Sequence, residues 1–170
     1  MAHLRRGILI DVGQEDPSAG VVMVPVELAR LVLYDNAEQQ FIYLREIGGQ
    51  RGFPIVIGEA EANEIRRVVT GQRTERPLTH QLAYQTIREL GHDLMRVDIV
   101  DLRNNTFFAQ LVLRDTRGSI AAVIDARPSD ALALALRAKC PVRVAEAVLA
   151  SLKPAEGPEG PEGDEKGEKE

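Results

Sequence analysis

The sequence has one cysteine, no tryptophan and few aromatic residues, at 4% of its length. The single thiol, Cys140, excludes an internal disulfide and any multi-cysteine zinc or iron–sulfur site. A reducing cytoplasm is the compartment this usage suggests. The shortage of aromatics argues against a platform on which unpaired bases stack. Long apolar runs are also missing. No stretch approaches the roughly 18 residues a membrane span needs, so no membrane partner is expected. The opening MAHLRRGILIDVG holds only a short apolar run at 7–10, without the longer core and cleavage site of a secretory leader. Three common catalytic signatures are absent as well: a glycine-rich loop ending in Lys-Ser/Thr, a G-x-S-x-G elbow and an H-E-x-x-H helix.

What is present begins with charge. The 170 residues carry 21 Lys+Arg and 26 Asp+Glu, a formal net charge of −5. Seven acids and two lysines fall within 154–170, so that tail alone accounts for the −5, and residues 1–153 are neutral. A neutral body excludes a broadly basic nucleic-acid binder, which needs a positive field to release counterions. Its bases are almost all arginine, 17 against two lysines. Arginine suits bidentate contact with phosphate or carboxylate, though genome composition also produces such a bias. Arg66, Arg67, Arg73 and Arg76 outnumber Glu64 and Glu75 locally, so a neutral body can still present a basic face.

The chain divides into three parts. Residues 1–20 read as a flexible lead-in, with a polar, turn-rich stretch at 14–20. Residues 21–153 form one domain. Residues 154–170, PAEGPEGPEGDEKGEKE, have too little apolar surface to offset ordering entropy and read as a disordered acidic tail.

Within the domain, three β-rich stretches at 21–35, 40–44 and 53–57 come first, with Pro25 suited to a strand edge or bulge. A helix follows at 58–71, with Ala62, Ile65 and Val69 on one face, early acids Glu59, Glu61 and Glu64, and a stop at Gly71. A second helix spans 79–91, capped by Thr79 and faced by Ala83, Ile87 and Leu90. The period then changes to two. Stretches 94–102, 106–114 and 120–125 read as a three-stranded antiparallel meander. A helix at 130–139, a short strand at 142–144 and a helix at 146–152 close the domain. The order βββ-αα-βββ-α-β-α predicts an α+β fold, with a mixed, largely antiparallel sheet and helices packed on it.

Two clusters carry polar chemistry. In the first, residues 53–80, Glu59, Arg73, Arg76, Thr79 and His80 lie around one helix end and the next helix start. In the second, residues 124–137, a strand ends at Asp125 and Asp130 sits at the first turn of a helix. Strand-end acids beside a helix start suit a divalent cation or a polar substrate. The free N–H groups there, with the Arg127 fork, suit a phosphate. Each residue also has a structural reading. Asp130 complements the helix dipole, Ser129 is an ordinary cap, and Arg127 pairs with Asp125 or Asp130. Glu59 is an exposed first-turn acid, and His80 is a hydrogen-bonded residue near a cap. Cys140 reads as a small buried residue rather than a nucleophile.

Taken together, FPIVIGEAEANEI (53–65), GQRTERPLTHQL (71–82), LMRVDIVDLRNNTFFAQLVL (94–113) and IDARPSDALALALRAKCPVRV (124–144) resemble the bifunctional nuclease domain family. The resemblance spans about residues 22–150 and is most specific in RPLTH and DARPSDALALALR. It implies an α+β homodimer acting on DNA and RNA. Its polar motif positions fall on Glu59, Arg76, Thr79, His80, Asp125, Arg127, Ser129 and Asp130. On that basis Glu59, His80, Asp125 and Asp130 are the expected catalytic residues. Asp125, Asp130 and Glu59 would hold a divalent metal such as Mg²⁺, and Arg76, Thr79, Arg127 and Ser129 would bind phosphate. The alternative is a non-catalytic dimeric binding or regulatory module in which the DARPSD segment is a structural corner. The chain departs from the family at Gln81, where an aspartate that could orient His80 is common.

An acidic tail beside an arginine-rich body is expected to repel nucleic acid or to compete with it for the basic face. Truncation after Lys153 is therefore expected to strengthen nucleic-acid binding at low salt. An affinity unchanged by the truncation would count against this role.

Overall fold

A computed structural model describes residues 16–35, 37 and 39–152 of the chain. The acidic stretch 154–170 and residues 1–15 of the lead-in lie outside the described residues. Eleven elements follow in order: β1 (Met23–Val32), β2 (Gln39–Glu46), β3 (Gly52–Gly58), α1 (Glu59–Thr70), α2 (Thr79–Glu89), β4 (Asp93–Arg103), β5 (Thr106–Arg114), β6 (Ile120–Ala126), α3 (Pro128–Ala138), β7 (Val142–Ala145) and α4 (Glu146–Ser151). The fold is α+β, in the order expected from the sequence.

All seven strands form one sheet in the order β3-β2-β1-β7-β4-β5-β6. Two antiparallel three-stranded meanders, β1–β2–β3 and β4–β5–β6, are joined by β7. This four-residue strand runs antiparallel to β1 and parallel to β4. Alternation places every second side chain on the core face: Ile42 and Leu44 on β2, Phe53, Ile55 and Ile57 on β3, and Ala109, Leu111 and Leu113 on β5. Phe53 near one edge stacks on Phe107 of β5, with ring centroids 5.4 Å apart. Four strands separate β3 from β5 in the sheet, so this contact requires the sheet to curl its ends toward each other.

Helix α3 fills the hollow of that curl. Its Ala131, Leu132, Ala133, Leu134 and Ala135 are all buried, because small and straight apolar residues let it sit deep between the sheet and α1. Helix α1 presents Ala62 and Ile65 to the core. Its end is set by Gly71, which takes a left-handed conformation (φ 68°) and turns its N–H back to the Val68 carbonyl.

Several local expectations are corrected. Val69 is exposed rather than continuing the α1 face. Helix α2 has no fully buried residue; Tyr84 and Ile87 pack on the core, whereas Leu90 is 70% exposed and Ala83 faces outward. The inward stripe is therefore displaced from Ala83/Ile87/Leu90 to His80, Tyr84 and Ile87. Leu78, not Thr79, occupies the α2 cap position, and Arg127, not Ser129, occupies that of α3. Proline at the first helical position explains the earlier α3 start, since its missing N–H is unneeded there. Pro25 lies in a strand paired on both sides. It falls just before the first β1–β2 registered pair, Val26 with Glu46.

Charge is buried on the opposite face of the sheet. Asp98 is fully enclosed and accepts from Arg143 Nε and Nη2, each at 2.8 Å, and from Arg96 Nε at 2.9 Å. Arg96 also reaches Asp16, and Arg143 reaches Ser18 Oγ at 2.9 Å. Residues 16–18 thus hydrogen-bond to the sheet within the stretch read as lead-in.

Removing one partner of a buried ion network strands the others. Asp98→Ala is expected to cost about 3–5 kcal/mol of stability. The exposed Arg45–Glu27 pair should lose no more than about 1 kcal/mol on Glu27→Ala. Urea unfolding of both variants checks this, and equal losses would overturn it.

Candidate active site at the junction of three helix starts

The helix starts of α1, α2 and α3 meet at one recess of about 610 Å³. Glu61 comes from the first turn of α1, His80 from that of α2, and Arg127 and Asp130 from the start of α3. His80 Nε2 lies 2.8 Å from Asp130 Oδ1. Arg127 donates from Nε to Asp130 Oδ2 at 2.7 Å and from Nη2 to Asp130 Oδ1 at 3.1 Å. The same Nη2 donates to Glu61 Oε1 at 2.6 Å. Two carboxylates therefore hold the guanidinium in place. Its Nη1 has no protein partner among the described residues, and the side chain is 66% exposed. Gly58 leaves room for this arrangement, because a Cβ there would stand 2.5 Å from Glu61 Oε2.

Burial alone would raise the Asp130 carboxyl. Hydrogen bonds from Arg127 and His80 outweigh it and hold the group below the usual carboxylate range. An ionised carboxylate only accepts, so the bond between them requires a proton on His80 Nε2. In neutral His80 the lone pair is then on Nδ1. Asp130, from another helix, thus orients the imidazole, whereas the adjacent Gln81 carries no carboxylate.

Beneath the recess, Glu64 is buried. It accepts from Arg67 Nη2 at 3.0 Å and Arg137 Nε at 3.0 Å. Burial pushes its carboxyl up, but the two guanidinium groups more than reverse this and keep it ionised. Neither Glu64 nor Glu61 stood out as a functional residue in the sequence. The available signal was the three-residue spacing of Glu61, Glu64 and Arg67, which places all three along one side of a helix.

The remaining expected residues are distributed differently. Thr79 lines the His80 recess. Arg76 is exposed in the α1–α2 loop. Ser129 is buried and lines a second recess of about 770 Å³, with Pro54, Val56 and Phe107. Arg127 forms the wall between the two recesses. Glu59 is exposed and faces a third, of about 640 Å³, with Tyr34, Asn63 and Arg66. Asp125, on β6, pairs with Gln110 of β5, while its neighbour Ala126 packs on the core, so alternation turns Asp125 to the other face of the sheet. Asp125, Asp130 and Glu59 consequently do not come together. Among the described residues, no group of three or more His, Cys, Asp or Glu is arranged to hold a metal. Both Asp130 oxygens are already engaged, so the expected Mg²⁺ set does not fit this arrangement. Burial pushes the Cys140 thiol up to about 11, as suits a packing residue.

A family model described as the bifunctional nuclease domain matches residues 42–156, which include every residue of this recess. The chain belongs to the bifunctional nuclease domain family. An uncharacterized protein of Mycobacterium tuberculosis is 45% identical over 113 residues, 66% of this chain and 65% of that protein. Bifunctional nuclease 1 of Arabidopsis thaliana is 29% identical over 114 residues, covering 66% of this chain and 35% of the plant protein. Bifunctional nuclease 2 of Oryza sativa subsp. japonica is 28% identical over 112 residues, covering 65% and 34%. The chain thus spans just under two thirds of the mycobacterial relative's length and about one third of that of the plant ones. No helix among its described residues is long and apolar enough to cross a membrane.

The lowered Asp130 carboxyl contributes stability that is complete above its unfolded value of about 4 and lost as the pH falls through its lower folded value. The melting temperature of Asp130→Asn should therefore trail the parent at neutral pH, and the gap should close as the pH falls below about 4. A gap independent of pH would contradict the assignment.

Proposed function

We propose that this bifunctional nuclease domain hydrolyses phosphodiester bonds of DNA, RNA or both at the His80 recess. The observation that carries the proposal is the His80–Asp130–Arg127–Glu61 chain, which orients an imidazole and leaves one guanidinium edge open. The naming of the plant relatives as bifunctional nucleases supports the same reading. In the proposed reaction, His80 Nδ1 takes a proton from water as the oxygen attacks phosphorus. Arg127 Nη1 hydrogen-bonds the phosphoryl oxygens as their charge grows. The P–O bond to the leaving ribose oxygen breaks, and protonated His80 returns the proton to that oxygen. Asp130 keeps the imidazole oriented throughout. Glu61 holds Arg127 so that its open edge faces the substrate. The proposal includes a homodimer in a reducing cytoplasm, consistent with the free Cys140 and the exposed Leu78, Leu82 and Leu90 around α2.

One observation favours a second reading. Arg127 also ties α3 to α1, and Ser129 is buried, so the DARPSD segment serves the fold itself. A non-catalytic dimeric binding module would use it for that alone.

Single-stranded RNA and DNA incubated with the purified full chain, with and without EDTA, separate the two. Cleavage is expected to fall about 100-fold or more in His80→Gln and Asp130→Asn. Cleavage that survives both variants removes the site assignment. Binding without cleavage in the parent protein supports the module.

A further inference from the structure

Among the described residues, eleven arginines have a carboxylate within ion-pair distance and four do not: Arg30, Arg66, Arg73 and Arg76. The pairing extends even to exposed arginines such as Arg45, Arg103 and Arg117. Three of the four exceptions fall between the last turns of α1 and the start of α2. All three are exposed. Neighbouring Arg67, by contrast, turns inward to Glu64. The only acid in the connecting loop is Glu75, and Glu59 shares the recess that Arg66 lines.

The loop leads directly to the site. Its last residue, Leu78, lines the His80 recess together with Thr79. Arg76 precedes Leu78 by two residues. Arg73 and Arg76 are separated by at most about 10 Å of extended chain, a separation that suits phosphates on one strand. The left-handed turn at Gly71 and the Thr74 Oγ1 bond to the Arg76 carbonyl, at 2.8 Å, give the loop a defined course.

We propose that Arg66, Arg73 and Arg76 form a phosphate track leading a single nucleic-acid strand into the His80 recess. The substrate is then a polynucleotide whose backbone continues beyond the scissile bond, rather than a mononucleotide ester. This deepens the nuclease reading and rests on it. A recess walled by three helix starts admits a splayed strand, so a single strand is favoured over a duplex. The track supplies charge to the backbone and reads no sequence.

The test is fluorescence anisotropy with the full chain and labelled oligonucleotides of two and twelve nucleotides, plus a twelve-base-pair duplex, over a salt series. The comparison is with the triple variant Arg66→Ala/Arg73→Ala/Arg76→Ala and with Arg30→Ala as a control for the loss of an unpaired arginine elsewhere. Circular dichroism confirms folding. The slope of log K against log salt for the single-stranded twelve-mer should flatten by about 2 in the triple variant, near 0.7 for each lost phosphate contact. Binding of the dinucleotide should not change, and Arg30→Ala should retain the parent slope. An unchanged slope in the triple variant, an equal loss in Arg30→Ala, tighter binding of duplex than single strand, or no oligonucleotide binding by the parent overturns the track. Hydrolysis of bis(p-nitrophenyl) phosphate is measured alongside. If the triple variant keeps both the slope and this hydrolysis, the track falls and the nuclease reading stands. If the slope flattens but the parent hydrolyses neither the diester nor the oligonucleotides, the track stands on a binding module.

Discussion

Glu64 joins the two helices on which the site depends. Its carboxylate is buried at the α1–α3 contact and receives guanidinium groups from both, Arg67 and Arg137. A charge taken out of water at that point is tolerated only while both partners remain. The pairing therefore sets how α1 and α3 lie against each other, and with it the distance between Glu61, one turn before Glu64, and Arg127, at the start of α3. The apolar face of α3 supplies most of the packing, but apolar contacts are permissive about rotation and sliding. Bidentate charge pairing is not.

The same economy operates in the recess above. Asp130 receives Arg127 on both oxygens and His80 on one, so a single carboxylate orients an imidazole and a guanidinium together. These two groups are brought to it from separate segments, one by the first turn of α2 and one by the end of β6. The geometry is held by hydrogen bonds and ion pairs among its own side chains. It also keeps an open edge on Arg127, where two donors face the surface.

The order of elements was legible in the sequence because period and punctuation agreed. Short apolar runs marked β2 and β3, alternation marked β4, short turns marked β5 and β6, and Gly71 and Pro141 marked real ends. Which face of α2 turns inward was not legible. That helix buries none of its residues fully, and its placement is decided by Tyr84 and Ile87 packing on the core where α2 meets α3 and β4. At the site, Arg127, Asp130, His80 and Thr79 were recognisable from residue type and helix-start position. Glu61 was not, because its role arises only when α1 is laid beside α3. Asp125 was misleading for the opposite reason. It is adjacent to the motif in sequence, yet one step along a strand reverses its face.

The β7 seam has a consequence for the order in which the molecule is made. Met23 pairs with Ala145 and Val26 with Val142, so β1 meets its second neighbour only near the end of the domain. Each meander closes through short loops and forms locally, whereas the seam must bring together distant parts of the chain. On the ribosome, the first half therefore waits with one side of β1 open until four late residues emerge. During that interval β1 is an unprotected edge, available to a second nascent chain in the same way that it is available to β7.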